Sequence, residues 1–394
     1  MRDVAQRQRS DEIDLWRGFV LLTIFVNHIP GNLLEHLTHR NLGFSDGAEP
    51  FVFLAGVSLA LAYGPKFATD GFSGIAWRCL RRAGQLYRTH LVLTAAFVAA
   101  VAIIHVASGL DRFLEANGSA AVFGDTSKGV VGLLTMSYQL GYLNILPLYV
   151  VLMLWAPVAL ALARLHVGAA LGASLGLYVA ARHFGLSLPN WPEPDAWFFN
   201  PFAWQFLMTL GMAAGLIWRD RPVPLVRPLL NAALVLLGAS AFVQTDGLWL
   251  LPNLHHEFYA TFDMLKTDLA LIRLLHFLAL AYALSQIPVA RLLGSTGVGR
   301  ALAGLGRHGL PVFVAGTVLS LAGQLAMSLV AENHSGAVQV VGLGTTLAGA
   351  ACLFLLVRWR EWTPADSVPV ARARRARGWS AWPLPPFSRF FWRH

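Results

Sequence analysis

Two side chains early in the sequence have the types and spacing to move a proton and hold an anion. The segment Ile13-Asp14-Leu15-Trp16-Arg17-Gly18 is followed by His28-Ile29-Pro30-Gly31, with ten residues between Arg17 and His28. Eleven helical steps turn the chain through about 1100°, about 20° from three whole turns, which puts both side chains on one face about 16 Å apart. An imidazole serves as a general base, and a guanidinium binds carboxylate or phosphate. Pro30 lacks a donor and, with Gly31, is expected to end or kink the helix just past the histidine. At membrane depth an opened helix end must face protein or a water-filled cavity. His28 is therefore expected to face a cavity, although a histidine bonded to a neighbouring helix fits the same residues.

Arg273 and His276 lie three apart, on one helix face, about 6 and 10 Å in from the outer end. An arginine at that depth needs an anion, either a carboxylate such as Glu49 or a substrate. Glu49 precedes Pro50 at a helix start, where an acid is favourable for dipole reasons alone. Arg78, Arg81 and Arg82 follow helical spacing with Gln85, and Arg88 lies just beyond. Such a patch suits phosphates, or ordinary lipid headgroups. Gly304-Leu305-Gly306-Arg307-His308-Gly309 matches G-x-G-x-x-G, but no strand precedes it, so the dinucleotide reading fails. It is expected to cap a membrane span. Zinc spacing and a Walker motif are absent, and His36/His39 and His255/His256 are too weak a signal for metal ligands.

The elements that must position these residues are membrane helices. Of 394 residues, 56% are apolar and 13% charged, against about 25% charged in a soluble domain. Apolar blocks of helix length fall at 15–34, 48–63, 86–107, 142–163, 168–186, 199–218, 228–245, 269–286, 309–330 and 336–357. This predicts an all-α integral membrane protein of about ten spans, with 1–14 as a cytoplasmic N-terminal segment and 358–394 as a basic cytoplasmic tail. The stretch 129–141 reads as re-entrant or interfacial. A cleavable leader is not expected, because the first apolar block runs into Pro30-Gly31-Asn32. With the N-terminus cytoplasmic, 23 basic residues fall on that side and 6 on the other, with Arg17 inside the first span. That asymmetry satisfies the positive-inside rule and puts both termini in the cytoplasm. It also explains the net charge of +9 without nucleic acid. Two cysteines, Cys79 and Cys352, predict no disulfide framework. Outer loops carry Trp191, Trp197, Trp249, His255, His256 and Tyr259, which suit sugar stacking or an interfacial aromatic belt. The tail is rich in Arg, Pro and Trp and is expected to lie on anionic lipid.

The opening Ile13, Asp14, Arg17 and Gly18, with His28 after ten further residues, resembles the signature of the membrane-bound acyltransferase 3 superfamily. Pro50-Phe51-Val52-Phe53-Leu54-Ala55-Gly56 is similar to a second element of it, with Ala55 where serine is usual. More narrowly, several segments resemble the OpgC family, succinyltransferases of osmoregulated periplasmic glucans. They are 27–31, 46–56, 85–90, 200–205, 273–277 and 306–313, spread from about residue 10 to 358. The resemblance implies a ten-helix acyltransferase of the bacterial inner membrane, an acyl-CoA co-substrate such as succinyl-CoA, and a periplasmic glucan acceptor. No permanently bound cofactor or metal is expected.

On that reading His28 is the base, with Glu49 and His276 beside it in the chemistry. Arg273, with Asn27 and Asp46, binds the acyl group or substrate. Arg17, Arg78, Arg81, Arg82 and Arg88 hold the coenzyme A phosphates. Asp14 is structural and anchors Arg17. A same-family O-acetyltransferase of another surface polysaccharide is an alternative. A transporter or flippase is an alternative of another class, since broken helices and midplane charges also mark transporters.

Overall fold

A computed structural model describes residues 2–109, 118–219, 221–331 and 337–362. Helices account for nearly all of its regular structure, and no strand occurs among the described residues. In chain order they are α1 (Arg2–Asn27), α2 (Ala48–Tyr63), α3 (Phe67–Ser108), α4 (Ala120–Gly124), α5 (Thr126–Leu134), α6 (Ile145–Leu165), α7 (Val167–Phe184) and α8 (Pro201–Ile217). There follow α9 (Arg227–Gln244), α10 (Leu254–Thr261), α11 (Leu271–Ser285), α12 (Val289–Leu293), α13 (Gly297–Arg307), α14 (Gly309–Ala331) and α15 (Val338–Trp362).

Five helical segments are long and apolar enough to cross a bilayer: Phe67–Ala107, Gly141–Leu165, Arg227–Gln244, Gly309–Ala331 and Val338–Trp362. Ala48–Tyr63, Pro201–Ile217 and Leu271–Ser285 are shorter and apolar. The set is compatible with a multi-pass membrane protein. The last residues of α15 belong to the basic end expected at 358–394, and 363–394 lie outside the described residues.

Helices occupy the expected blocks, but several bounds differ for local reasons. α1 begins at Arg2 and carries the charged N-terminal segment and the apolar block in one helix. It stops at Asn27 instead of running to 34. Pro30 cannot extend it, Gly31 is left-handed at φ +82°, and Asn32 caps both sides of the break. The Asn32 amide donates to the carbonyls of Val26 (3.0 Å) and Ile29 (2.5 Å). Its oxygen accepts the amides of Leu34 (2.9 Å) and Glu35 (3.2 Å), starting a 3-10 turn over Leu33–Leu37. α3 is longer than its apolar block, because the arginine-bearing stretch before residue 86 is helical too, with a break at Gly71 (φ +63°). The stretch 129–141 forms the end of α5 and a return loop. It is tied down where Tyr87 donates to the Leu134 carbonyl (2.7 Å) and Ser137 to that of Trp191 (3.0 Å).

The glycine-rich segment at 304–309 does more than cap a span. It ends α13, an amphipathic helix laid against α1 with the two backbones almost touching. A Cβ on Gly18 would sit 1.8 Å from the Leu302 carbonyl oxygen, and one on Gly306 would sit 1.8 Å from that of Asp14. α2 and α8 meet the same way at Gly56 and Gly211. Small residues that let helix backbones approach are the usual means of packing helices in lipid. Gly306→Ala is therefore expected to push α13 off α1 at a cost of about 1–3 kcal/mol. A thermal melt of the detergent-purified protein checks this, and an unchanged midpoint would contradict the packing.

Candidate active site

The break after α1 sets the position of His28. Its N–H still bonds the Ile24 carbonyl (3.0 Å), so the ring projects from the last helical turn. Its carbonyl, freed by the break, accepts from the Gln324 side chain of α14 (2.6 Å). The imidazole stacks on Tyr142 with centroids 4.4 Å apart and planes 22° from parallel. The residue as a whole is half-buried. Asn27, expected among the substrate ligands, is buried and accepts the Thr38 hydroxyl (2.9 Å). That bond ties the 3-10 segment back onto α1.

Beside this helix end the fold assembles two anions and two cations. Glu49 is wholly buried. Its Oε1 accepts Arg273 Nε (2.9 Å) and Nη2 (2.6 Å), while Oε2 accepts the Asp46 amide (2.9 Å). Asp46 Oδ2 receives Lys266 Nζ (2.5 Å) and Arg273 Nη2 (3.3 Å), and Oδ1 accepts the Ala48 amide (2.9 Å) at the start of α2. Burial alone would raise the Asp46 carboxyl, but Lys266 and Arg273 hold it below the usual carboxylate range. The charges of Lys266 and Asp46 also reach His28. Glu49, expected at the outer mouth, is thus enclosed and acts on its surroundings through Arg273. Arg273 meets its anions within the protein.

His276 joins the cluster from α11. It is buried, its Nδ1 lies 2.9 Å from the Ser45 hydroxyl, and its ring packs 5.7 Å from Phe44. Gly43 makes room for it, since a Cβ there would lie 2.4 Å from ring atoms Cε1 and Nε2. Gly43→Ala is expected to displace the imidazole and lose the Ser45 bond while leaving the helices in place. The check is catalytic activity compared with a thermal melt, with activity falling at least about tenfold for a small change in midpoint. Gln244 steadies the same loop, donating to the Gly43 carbonyl (2.9 Å) and the Tyr259 hydroxyl (2.8 Å). Of the outer aromatics, Trp249 and Trp191 are exposed, Tyr259 is half-buried and Trp197 is buried, so Trp197 cannot present a face to a sugar.

The arginines expected to bind phosphates separate. Arg17 bonds Asp14 (3.2 Å), its expected anchor. Burial raises the Asp14 carboxyl, and Arg17 and Arg307 offset part of that. Arg82 is half-buried and bonds Gln85 (2.6 Å). The Tyr149 hydroxyl donates to the Phe51 carbonyl (2.8 Å). Arg78 is paired with Asp70 (2.7 Å), and Arg81 and Arg88 are exposed.

Sequence reading did not single out Lys266, Asn32, Ser45, Gly43 or Gln324 for the site. Asn32 carries a legible signal, an asparagine after Pro-Gly at a helix end. The others gain their roles from partners far away in the chain, as Lys266 does from Asp46 and Gln324 from His28.

An all-helical fold among the described residues, with helices long and apolar enough to cross a bilayer and a buried charge cluster beside a broken first helix, is compatible with a multi-pass membrane protein that has an interior polar site. A family model described as OpgC protein matches residues 9–365, and the chain belongs to the OpgC family. That membership points to an acyltransferase that modifies glucans. No curated protein and no solved structure matches the chain.

Proposed function

We propose that this protein transfers an acyl group, succinyl or one closely similar, from cytoplasmic acyl-CoA to hydroxyls of a periplasmic glucan. It would do so within the bacterial inner membrane, as a ten-span protein with both termini in the cytoplasm. The observation that carries the reading is the placement of His28, half-buried at the broken end of α1 with its ring stacked on Tyr142, in a chain of this family. Arg17 lies on the same helix toward the cytoplasm, and Arg82 is half-buried near the start of the apolar part of α3. These two are the phosphate ligands the geometry supports best, and Arg78, Arg81 and Arg88 guide the nucleotide from the surface.

Acyl transfer to an alcohol needs a base, a stabilised oxyanion and held reactants. His28 takes the proton of the glucan hydroxyl as its oxygen attacks the thioester carbonyl. The new C–O bond forms, the C–S bond breaks, and the proton passes from His28 to the leaving thiolate. Free coenzyme A and an O-acyl glucan are the products. Stacking on Tyr142 and the Gln324 bond to the His28 carbonyl fix the ring during both transfers. Asp46, Glu49 and Arg273 hold the start of α2 against α11 and so position His276.

The test is release of coenzyme A thiol by the purified protein given acyl-CoA and glucan, with the glucan mass measured before and after. Thiol release with a matching mass gain on the glucan is expected. Binding of either substrate without thiol release would overturn the transferase reading in favour of a carrier.

A further inference from the structure

The charge cluster contains a cation that the transfer scheme above leaves unused, and it is mounted differently from its neighbour. Arg273 has 9% of its side chain exposed and spends Nε and Nη2 on Glu49 and Asp46. Lys266 has 26% of its side chain exposed and makes one hydrogen bond among the described residues, to Asp46. An ammonium has three donors, so two of them remain. Phe198 and Phe199 face the ammonium with ring centroids at 5.8 and 5.4 Å, which keeps a charge favourable while excluding water from that side.

The mount is rigid. Trp204 Nε1 donates to the carbonyls of Lys266 and Thr267 (3.1 Å each), the Asn200 N–H donates to Thr267 (3.0 Å), and the Asn200 side chain to Asp268 (2.8 Å). The loop before α11 is thereby strapped to the start of α8. Lys266 is joined through Asp46 to the segment that packs on the His28 turn. Its partner Asp46 adjoins Gly47, which lies against Ile24, and Ile24 bears the carbonyl that accepts the His28 N–H. The Lys266 charge reaches the imidazole.

We propose that Lys266 binds the free carboxylate of a dicarboxylic acyl group whose thioester carbonyl is held at His28, and so makes this protein select dicarboxylic over monocarboxylic donors. This rests on the acyl-CoA reading above, and it moves the acyl anchor from Arg273, which is nearly enclosed and spends its Nε and Nη2 on Glu49 and Asp46, to a more exposed neighbour with two donors to give. A carboxylate anchored two methylenes from the carbonyl also limits the donor length, because both ends of the acyl group are then held.

Succinyl-CoA and butyryl-CoA share chain length and differ in carboxylate against methyl. Equilibrium binding and transfer of both by the full-length protein in detergent give a succinyl-over-butyryl ratio. The wild type is expected to favour succinyl-CoA, Lys266→Met to lower the ratio about tenfold or more, and Lys266→Arg to retain most of it. Lys266→Gln, which can still donate to Asp46, keeps the test valid if the methionine variant fails to fold, and it should lower the ratio as well. An unchanged ratio, or equal losses with both donors, overturns the role of Lys266 and leaves the transferase reading standing. A wild type that binds neither donor overturns the acyl-CoA reading itself and this assignment with it.

Discussion

Replacing His28 with alanine is expected to abolish acyl transfer while leaving the protein folded in membranes. General-base catalysis contributes about 10²- to 10⁴-fold, and loss of ring positioning adds to it. The variant isolates the imidazole well, because the structural tie at this residue is made by the backbone. Gln324 bonds the His28 carbonyl and Ile24 accepts its N–H, and alanine keeps both groups. Only the stack on Tyr142 goes with the ring. The measurement is coenzyme A thiol release at saturating acyl-CoA, beside a thermal melt. Full activity in this variant would refute His28 as the base.

The largest stability effect is expected at Arg273. Arg273→Met leaves Glu49 wholly buried without its cation and removes one of the two cations on Asp46. Breaking a buried pair from one side costs about 3–5 kcal/mol, because the remaining charge is neither solvated nor matched. The double variant Glu49→Gln with Arg273→Met should recover a good part of that loss, since the stranded carboxylate is gone. A double-mutant cycle on thermal or denaturant unfolding in detergent measures the coupling. Additive losses would show that the pair at 2.6 Å contributes nothing of its own. The pair matters beyond stability because it joins the start of α2 to α11. Loss of activity in the single variant is therefore expected to be partly restored in the double one.

Much of the architecture was legible because membrane helices write a strong signal. A run of about twenty apolar residues has few other uses, and the expected block at 48–63 coincides with α2 at both ends. The break after His28 was legible from Pro30 and Gly31, although the helix stops sooner than the apolar block does. Asn32 explains the difference, since its amide caps carbonyls that would otherwise extend the run. The early start of α3 was hidden because apolar content marks the lipid-facing part of a helix and says little about its charged extension. At 304–309 a pattern borrowed from nucleotide-binding loops turned out to serve helix contact, as Gly306 seated on the Asp14 backbone makes plain.

The identity of the polar residues followed from the sequence by itself, since few ionisable groups sit among the apolar blocks and each invites a reason. Their helical phase followed as well, because Arg17 and His28 need only the geometry of one helix to be placed on one face. Partnership was decided by the tertiary structure alone. Glu49 and Arg273 are separated by 224 positions, and Asp46 and Lys266 by 220, so no local spacing relates them. An arginine that wants an anion reads the same in one dimension whether the anion is a neighbour or a substrate. Packing α11 against α2 answers that question by using up most of Arg273's donors, and it leaves Lys266, an unremarked loop residue, with hydrogen bonds still to give.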